Sequence, residues 1–369
     1  MNAPKSADNA PAMRAGLAKL AAAQTLGRQE IETIFDEIMV GACDPAQIGG
    51  LLMGLAIRGE TTEQIAGAAA AMRRAVHRIA SRHTDLLDTC GTGGSGIPRR
   101  NVSTAVALAV AACGVPVAKH GNRAASSRSG SADVLEALGL NIEATPAQVQ
   151  RCLDEVGVGF LFAARLHPAM KHAMGPRRAL GVRTLFNLLG PLTNPAGANR
   201  QLLGVFDPAR CEDVARALGA LGSRHVMVVH GFRAGHEASP RSPRGIDDLS
   251  PEGESLVVQW RDGQLETLVL RPQDAGLPAH SFEDIAGGSA AENADALRRL
   301  VDGEPSAYRV AVQYSGAVAL VAAGHGELSA LPELAETIGR AIDEGKVRAV
   351  LDDLVRVSHE PAETSEKEQ

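Results

Sequence analysis

Aromatic residues make up only 3% of this 369-residue chain: one Trp, two Tyr and seven Phe. So thin a set offers no stacking platform for nucleic-acid bases. Cysteine is scarce too. Residues 43, 90, 113, 152 and 211 are scattered, odd in number and form no Cys-x-x-Cys pair. That pattern speaks against a disulfide framework or a thiolate zinc site and points to a reducing cytoplasm. Long apolar runs are missing as well. The longest nearly uncharged stretch, residues 101–118, falls short of the ~20 residues a membrane helix needs, and the opening MNAPKSADNAPAM has no apolar signal-peptide core. A formal net charge of -6 disfavours a duplex or membrane-surface partner. The partners expected are therefore small molecules, with no nucleic acid and no membrane.

One absence is local. Gly91 to Ser131 contains five Lys or Arg residues and no Asp or Glu, in a chain that is acidic overall. The segment opens on a glycine cluster, Gly91-Thr92-Gly93-Gly94-Ser95-Gly96, and closes on Lys119-His120-Gly121-Asn122-Arg123 and a serine-rich loop. Backbone N–H groups, hydroxyls and fixed positive charge suit a small, oxygen-rich anion, most naturally one bearing phosphate. GTGGSG also fits GxGxxG, but a dinucleotide site needs an acid about 20 residues on, and AACGVPVAKHGN supplies none. No Gly-Lys-Ser/Thr closes the loop as a P-loop requires.

The rest of the chain gives the frame. Residues 1–12 and 358–369 read as loose ends. From 13 to 84 the pattern is helix after helix, with capping-box spacing at Thr61-Thr62-Glu63-Gln64 and an Ala-rich run behind it. From 85 to 357 strands and helices alternate. Strands are predicted around 86–87, 115–118, 158–162, 201–206, 225–229, 255–260 and 265–270, the last two joined through Asp262-Gly263. Helices are predicted after the glycine turn and around 130–139, 146–156, 208–221, 289–302, 307–323 and 328–344. The fold class is α/β: a small N-terminal helical domain, with a helical contribution from about 176–198, hinged to a larger domain built on a mostly parallel sheet flanked by helices.

Further clusters have two readings each. Asn101, Val102, Ser103 and Thr104 sit at the mouth of a helix, as caps or as ligand contacts. Arg165, His167, Lys171, His172, Arg177, Arg178 and Arg183 form a solvated helix surface, or one of them grips a carboxylate with its planar fork. Leu189-Gly190-Pro191-Leu192-Thr193-Asn194-Pro195 ends a helix or lines a cavity. Asp247-Asp248 is a solvent-facing pair or a set of hard oxygens for Mg²⁺.

Taken together, DTCGTGG, NVST, VAKHGNRAASSRSGSADVLEALG, FLFAARLHPAMKHA, RTLFNLLGPLTNPAG, QLLGVF, GIDDLS and GGSAAENA resemble the anthranilate phosphoribosyltransferase family, in the family's order and over residues 15–355. The resemblance implies transfer of 5-phosphoribosyl from 5-phosphoribosyl 1-pyrophosphate to anthranilate, in tryptophan biosynthesis, by a Mg²⁺-dependent cytoplasmic homodimer. It implies a donor site of Gly91, Thr92, Gly93, Gly94, Ser95, Arg99, Asn101, Val102, Ser103, Thr104, Lys119, His120, Gly121, Asn122, Arg123, Ala124, Ala125, Ser126, Ser127 and Ser131. Gly91, Asn122, Arg177, His120, His167 and Pro191 are implied to meet anthranilate, and Ser103, Asp247 and Asp248 to hold Mg²⁺. Alternatives are an impaired or inactive member, or a transferase of the same fold with another acceptor. The chain departs from the family where Ser95 replaces Asp, where Ile97-Pro98-Arg99-Arg100 replaces a polar segment, and where FRAGHEASPRSPR separates the strand from GIDDLS, with Asp248 in place of Glu.

Overall fold

The computed structural model describes residues 10–124, 128–241 and 245–361. Four helices come first: α1 (Pro11–Ala21), α2 (Arg28–Met39), α3 (Pro45–Arg58) and α4 (Thr62–Arg74). The Thr61 box forms as the spacing predicts. Its hydroxyl accepts from the Gln64 amide at 3.3 Å, and the Gln64 side chain accepts from the Thr61 amide at 3.0 Å. The small residues of α4 have a packing purpose: a Cβ on Gly67 would lie 2.4 Å from the Arg28 carbonyl oxygen, so α2 and α4 sit close.

Strand and helix then alternate: β1 (Leu87–Gly91), α5 (Val102–Ala112), β2 (Val117–Gly121), α6 (Ser131–Ala137), α7 (Pro146–Arg151), β3 (Val158–Phe162), α8 (Ala163–Leu166), α9 (Lys171–Leu180), α10 (Phe186–Leu189), β4 (Arg200–Gly204), α11 (Cys211–Ala220), β5 (His225–Gly231), β6 (Ser255–Arg261), β7 (Gln264–Leu270), α12 (Ala290–Val301), α13 (Ala307–Ala323), α14 (Leu331–Asp343) and α15 (Lys346–His359). Among the described residues the sheet has seven strands in the order β3-β2-β1-β4-β5-β6-β7. β1 to β5 run parallel, and β6 and β7 are antiparallel. The β6–β7 hairpin turns at Asp262 (φ 48°) and Gly263 (φ 90°), the backbone an Asp-Gly turn favours. Helices α5 and α12–α15 cover one face of the sheet, and α11 with the N-terminal helices covers the other.

β1 neighbours β2 on one side and β4 on the other, so the chain's direction across the sheet reverses between β1 and β4. A crevice opens at the carboxyl ends of strands at such a point. Gly91 and Gly204 are paired there.

The helical body is not contiguous in sequence. α9 and α10 return from the middle of the chain to pack on α2, α3 and α4, with Phe35 and Phe186 ring centroids 5.4 Å apart. This contribution begins at Lys171, ahead of the predicted 176. Arg73 of α4 ties the bodies together, donating to the carbonyls of Leu192 (2.7 Å) and Leu221 (3.1 Å). Both expected loose ends are shorter in the described residues. Ala10 is buried and α1 starts at Pro11, while Ser358 lies in α15 and accepts from the Asn141 amide at 3.1 Å.

Candidate active site

A cavity of about 740 Å³ opens at the crevice between β1 and β4. Its floor is the glycine turn after β1. Gly93, Gly94 and Gly96 all have φ between 71° and 84°, which only glycine adopts freely. The Thr92 amide donates to Gly204 O (2.9 Å), and the Thr92 hydroxyl accepts from the Phe206 amide (3.0 Å), fastening the turn to β4. Beyond it Asn101, Ser103 and Thr104 line the cavity at the N-terminus of α5. The Thr104 hydroxyl is buried and has no hydrogen-bond partner among the described residues. An orphaned buried hydroxyl beside a helix N-terminus awaits an anion or other acceptor.

The end of β2 adds Lys119, His120 and Gly121, the turn after it Asn122, Arg123 and Ala124, and α6 adds Ser131. Lys119 is buried, and its ammonium donates to Thr89 O at 2.5 Å. Burial pushes its pKa down, against the pull of Asp88. Asp88 is fully buried. It accepts from the His120 amide (3.0 Å) and from Asn194 (2.8 Å), which also donates to Ala118 O (2.8 Å). Asn194 of the Leu-Thr-Asn-Pro turn is therefore a brace beneath the site. Gly121 is required by crowding, because a Cβ there would lie 2.2 Å from the Ser131 hydroxyl.

The opposite wall comes from the helical side: His167, Lys171, Met174, Arg177, Arg183, Phe186 and Pro191. His120 and His167 meet Nε2 to Nε2 at 3.0 Å. Desolvation, with His167 and the Lys119 ammonium close by, holds His120 well below 6.5, and burial brings His167 to about 4, so both rings are neutral at pH 7. His120 also bonds the Gly190 backbone. Arg177 is half-buried, with its guanidinium 5.1 Å from the Phe186 ring centroid, and burial lowers its pKa. No carboxylate among the described residues lies within ion-pair distance of it. Arg183 crosses back to the glycine turn, donating to Gly94 O with its guanidinium 4.1 Å from the Phe206 ring centroid.

The loop after β5 closes the cavity. His230 holds it, bonding Val205 O through Nδ1 (2.7 Å) and accepting from the Gly245 amide through Nε2 (2.8 Å). Asp247 then fits against the paired glycines. Cβ atoms on Gly91 and Gly204 would lie 2.7 Å from its carboxylate and 2.0 Å from its carbonyl oxygen. The described part of the insertion, residues 232–241, contributes nothing to the cavity wall.

Several expected contacts fall elsewhere. Val102 points into the core, and neither Ser95 nor Asp248 reaches the cavity wall. Arg123 is engaged by Asp133 (3.0 Å) and Glu136 (2.8 Å). Arg128 lines a separate hollow with Arg100 and Arg299. Of the cations expected to gather an anion in the groove, Lys119 lines the cavity and has no ion-pair partner among the described residues. Arg99 lines the cavity but donates to Asp247 Oδ1 (2.8 Å), Asp247 O (3.1 Å) and Ser95 Oγ (3.0 Å), with Asp248 Oδ2 at 3.7 Å. Burial lifts the Asp248 carboxyl to about 6, opposed by Arg99. Ala125, Ser126 and Ser127 lie outside the described residues. Sequence reasoning missed Asp88, Phe186 and Phe206. The first stood in plain view in DTCGTGG, while the two rings carry no local signal of what they face.

The comparisons agree with this fold. Residues 83–348 match the family model described as glycosyl transferase family, a/b domain, and residues 15–76 match its helical bundle domain. The chain is 45% identical to the anthranilate phosphoribosyltransferase of Anaeromyxobacter dehalogenans, spanning 94% of this chain and 98% of that one, and 47% identical to that of Myxococcus xanthus, over 93% and 98%. The crystal structure of the Thermus thermophilus anthranilate phosphoribosyltransferase superposes with a TM-score of 0.86 at 40% identity, over 94% and 99% of the two chains. The Saccharomyces cerevisiae enzyme, solved with 5-phosphoribosyl 1-pyrophosphate (PRPP) and Mg, shares the fold with a TM-score of 0.82 at 24% identity, over 94% and 97%.

Proposed function

The chain belongs to the anthranilate phosphoribosyltransferase family, and from that premise we propose how its cavity transfers the 5-phosphoribosyl group of PRPP to anthranilate, giving N-(5-phosphoribosyl)anthranilate and pyrophosphate. The observation that carries the reading is the pairing of two unlike walls in one cavity. One is a hydroxyl- and amide-rich cradle on the sheet. The other bears Arg177, a half-buried cation with no carboxylate of its own among the described residues.

Asn101, Ser103, Thr104, Lys119 and the turn at Gly121–Asn122 hold the donor. The Thr104 hydroxyl gains the partner the protein denies it, and the positive end of the α5 dipole faces the phosphates. Arg177 takes the anthranilate carboxylate in its planar fork, and His120, His167 and Pro191 form a neutral lining beside it. The aromatic amine is already unprotonated at pH 7, so no strong base is required, and two neutral histidines agree with that. As the C1–oxygen bond breaks, positive charge grows on the ribose and negative charge on pyrophosphate. Lys119 and the α5 terminus are placed for the negative pole. Positioning of amine and anomeric carbon supplies much of the remainder.

On the oxygen-rich wall Ser103, whose hydroxyl bonds no other described residue, would hold Mg²⁺, and the ion would supply Lewis-acid neutralisation of the leaving group. The Asp247–Asp248 pair does not fit an ion in the same way, because the Arg99 guanidinium already rests on it. Family membership further supports a place in tryptophan biosynthesis and a cytoplasmic homodimer, and light scattering reads the mass. Among the described residues no helix is long and apolar enough to cross a membrane. The deciding experiment follows loss of anthranilate fluorescence with enzyme, PRPP and Mg²⁺. Consumption should require all three; none at millimolar substrates overturns the reading.

A further inference from the structure

We propose that the Arg99 guanidinium is a built-in cation standing in for a divalent ion on the Asp247–Asp248 pair. Donor binding then brings one fewer metal ion per protomer than a bare pair would take. The inference rests on reading the cavity as the PRPP site.

The observation is the completeness of the pair's coordination. Asp247 Oδ1 accepts from Arg99 Nη2 at 2.8 Å, and Oδ2 accepts from the Gly93 amide at 2.7 Å. Asp248 Oδ1 accepts from the Leu249 amide at 3.1 Å, and Oδ2 faces Arg99 Nε at 3.7 Å. Every carboxylate oxygen is engaged, and all three side chains are largely withdrawn from water, with 17%, 4% and 11% of Arg99, Asp247 and Asp248 exposed. Mg²⁺ needs oxygens at about 2.0–2.1 Å in a near-octahedral shell. A guanidinium spanning both carboxylates occupies that space and repels a second cation.

The arginine is held from several directions. Its Nη1 donates to Ser95 Oγ (3.0 Å), Nη2 also reaches Asp247 O (3.1 Å), and the next amide, Arg100 N, donates to Ile285 O (2.9 Å). Gly287 lies so close that a Cβ there would be 2.2 Å from Arg99 O. Pro98 fixes the backbone one residue earlier. Ser95 thus supports through its hydroxyl the guanidinium that rests on the pair.

The test counts metal ions. Free Mn²⁺ is measured by electron paramagnetic resonance against wild type, Arg99→Ala, Arg99→Gln, Arg99→Lys and the double variant Arg99→Ala/Asp247→Asn, each with and without saturating PRPP. Thermal melts check that every variant is folded, and Arg99→Gln keeps the side-chain shape if the alanine variant fails that check. With PRPP, wild type and Arg99→Lys should hold one Mn²⁺ per protomer and the neutral single variants two, the extra ion vanishing in the double variant. Without PRPP, the neutral single variants should bind Mn²⁺ at least about tenfold more tightly than wild type. Equal counts and equal affinities in wild type and the neutral variants overturn the inference. Calorimetry of PRPP binding runs alongside. Absence of donor heat sinks the phosphoribosyl reading, and the donor-free Mn²⁺ comparison still decides the role of Arg99.

Discussion

Arg177→Ala should weaken anthranilate binding far more than it slows the chemistry. Arg177 is half-buried, stacked near Phe186, and has no carboxylate among the described residues to neutralise it. A carboxylate about 4 Å away would gain about 4 kcal/mol at an effective dielectric of 20. Part of that is lost to screening and to desolvation of the incoming anion, leaving the net value of a charge-assisted pair, about 1.5–3 kcal/mol. That converts to about a 10- to 150-fold rise in KM for anthranilate. The assay is loss of anthranilate fluorescence at saturating PRPP and Mg²⁺, with KM for each substrate taken separately. KM for PRPP should stay within about twofold, because the donor cradle lies on the opposite wall. Arg177→Lys, which keeps the charge and loses the fork, should fall between the two. An unchanged anthranilate KM, or a loss confined to the PRPP KM, would refute the assignment.

Gly204→Ala puts a Cβ 2.0 Å from the Asp247 carbonyl oxygen, a backbone atom that cannot swing aside; denaturant unfolding should show a loss of about 1–3 kcal/mol, and an unchanged midpoint would contradict the close fit. Burial holds His167 at about 4, below its ordinary 6.5. The unfolded chain therefore takes up this proton first, and stability is lost as pH falls from about 6.5 towards 4, by about 2–3 kcal/mol from this residue. The stability–pH curve of His167→Asn should be flatter over that window, and a parallel curve would count against it. All five thiols are free. Burial pushes Cys43 and Cys152 up to about 12, and raises Cys90, Cys113 and Cys211. A thiol reagent at pH 8 should find no fast-reacting group in the folded protein and five in denaturant; a rapid stoichiometric reaction of the native protein would be evidence against this burial.

Local chemistry was legible in the sequence wherever it also decides the structure. The Thr61 box, the Asp262-Gly263 hairpin and the strand–glycine–helix rhythm from Leu86 onward each form where the residues placed them. One missed element had its signal in view: α15 buries Val347, Leu351, Leu354 and Val357 at helical spacing, but Gly345 (φ 71°) breaks the chain just before it, and the reading stopped there. Other features have no local signal. Arg99 and Asp247 are 148 residues apart, and their meeting depends on the order of the strands. Arg123 looked like a free cation because its partners, Asp133 and Glu136, stand 10 and 13 residues further along the chain. Neighbours in sequence predicted the parts of the cavity, and the sheet's topology decided which of their charges were already paired.

The return of α9 and α10 to the N-terminal helices has a consequence for synthesis. When α4 leaves the ribosome, Phe35 still lacks its Phe186 partner, more than a hundred codons downstream. At roughly 5–20 residues per second the nascent helices wait on the order of 10 s for it. During that interval an oily seam stays open to chaperones, and a transcript ending before α10 would yield a product that cannot close it.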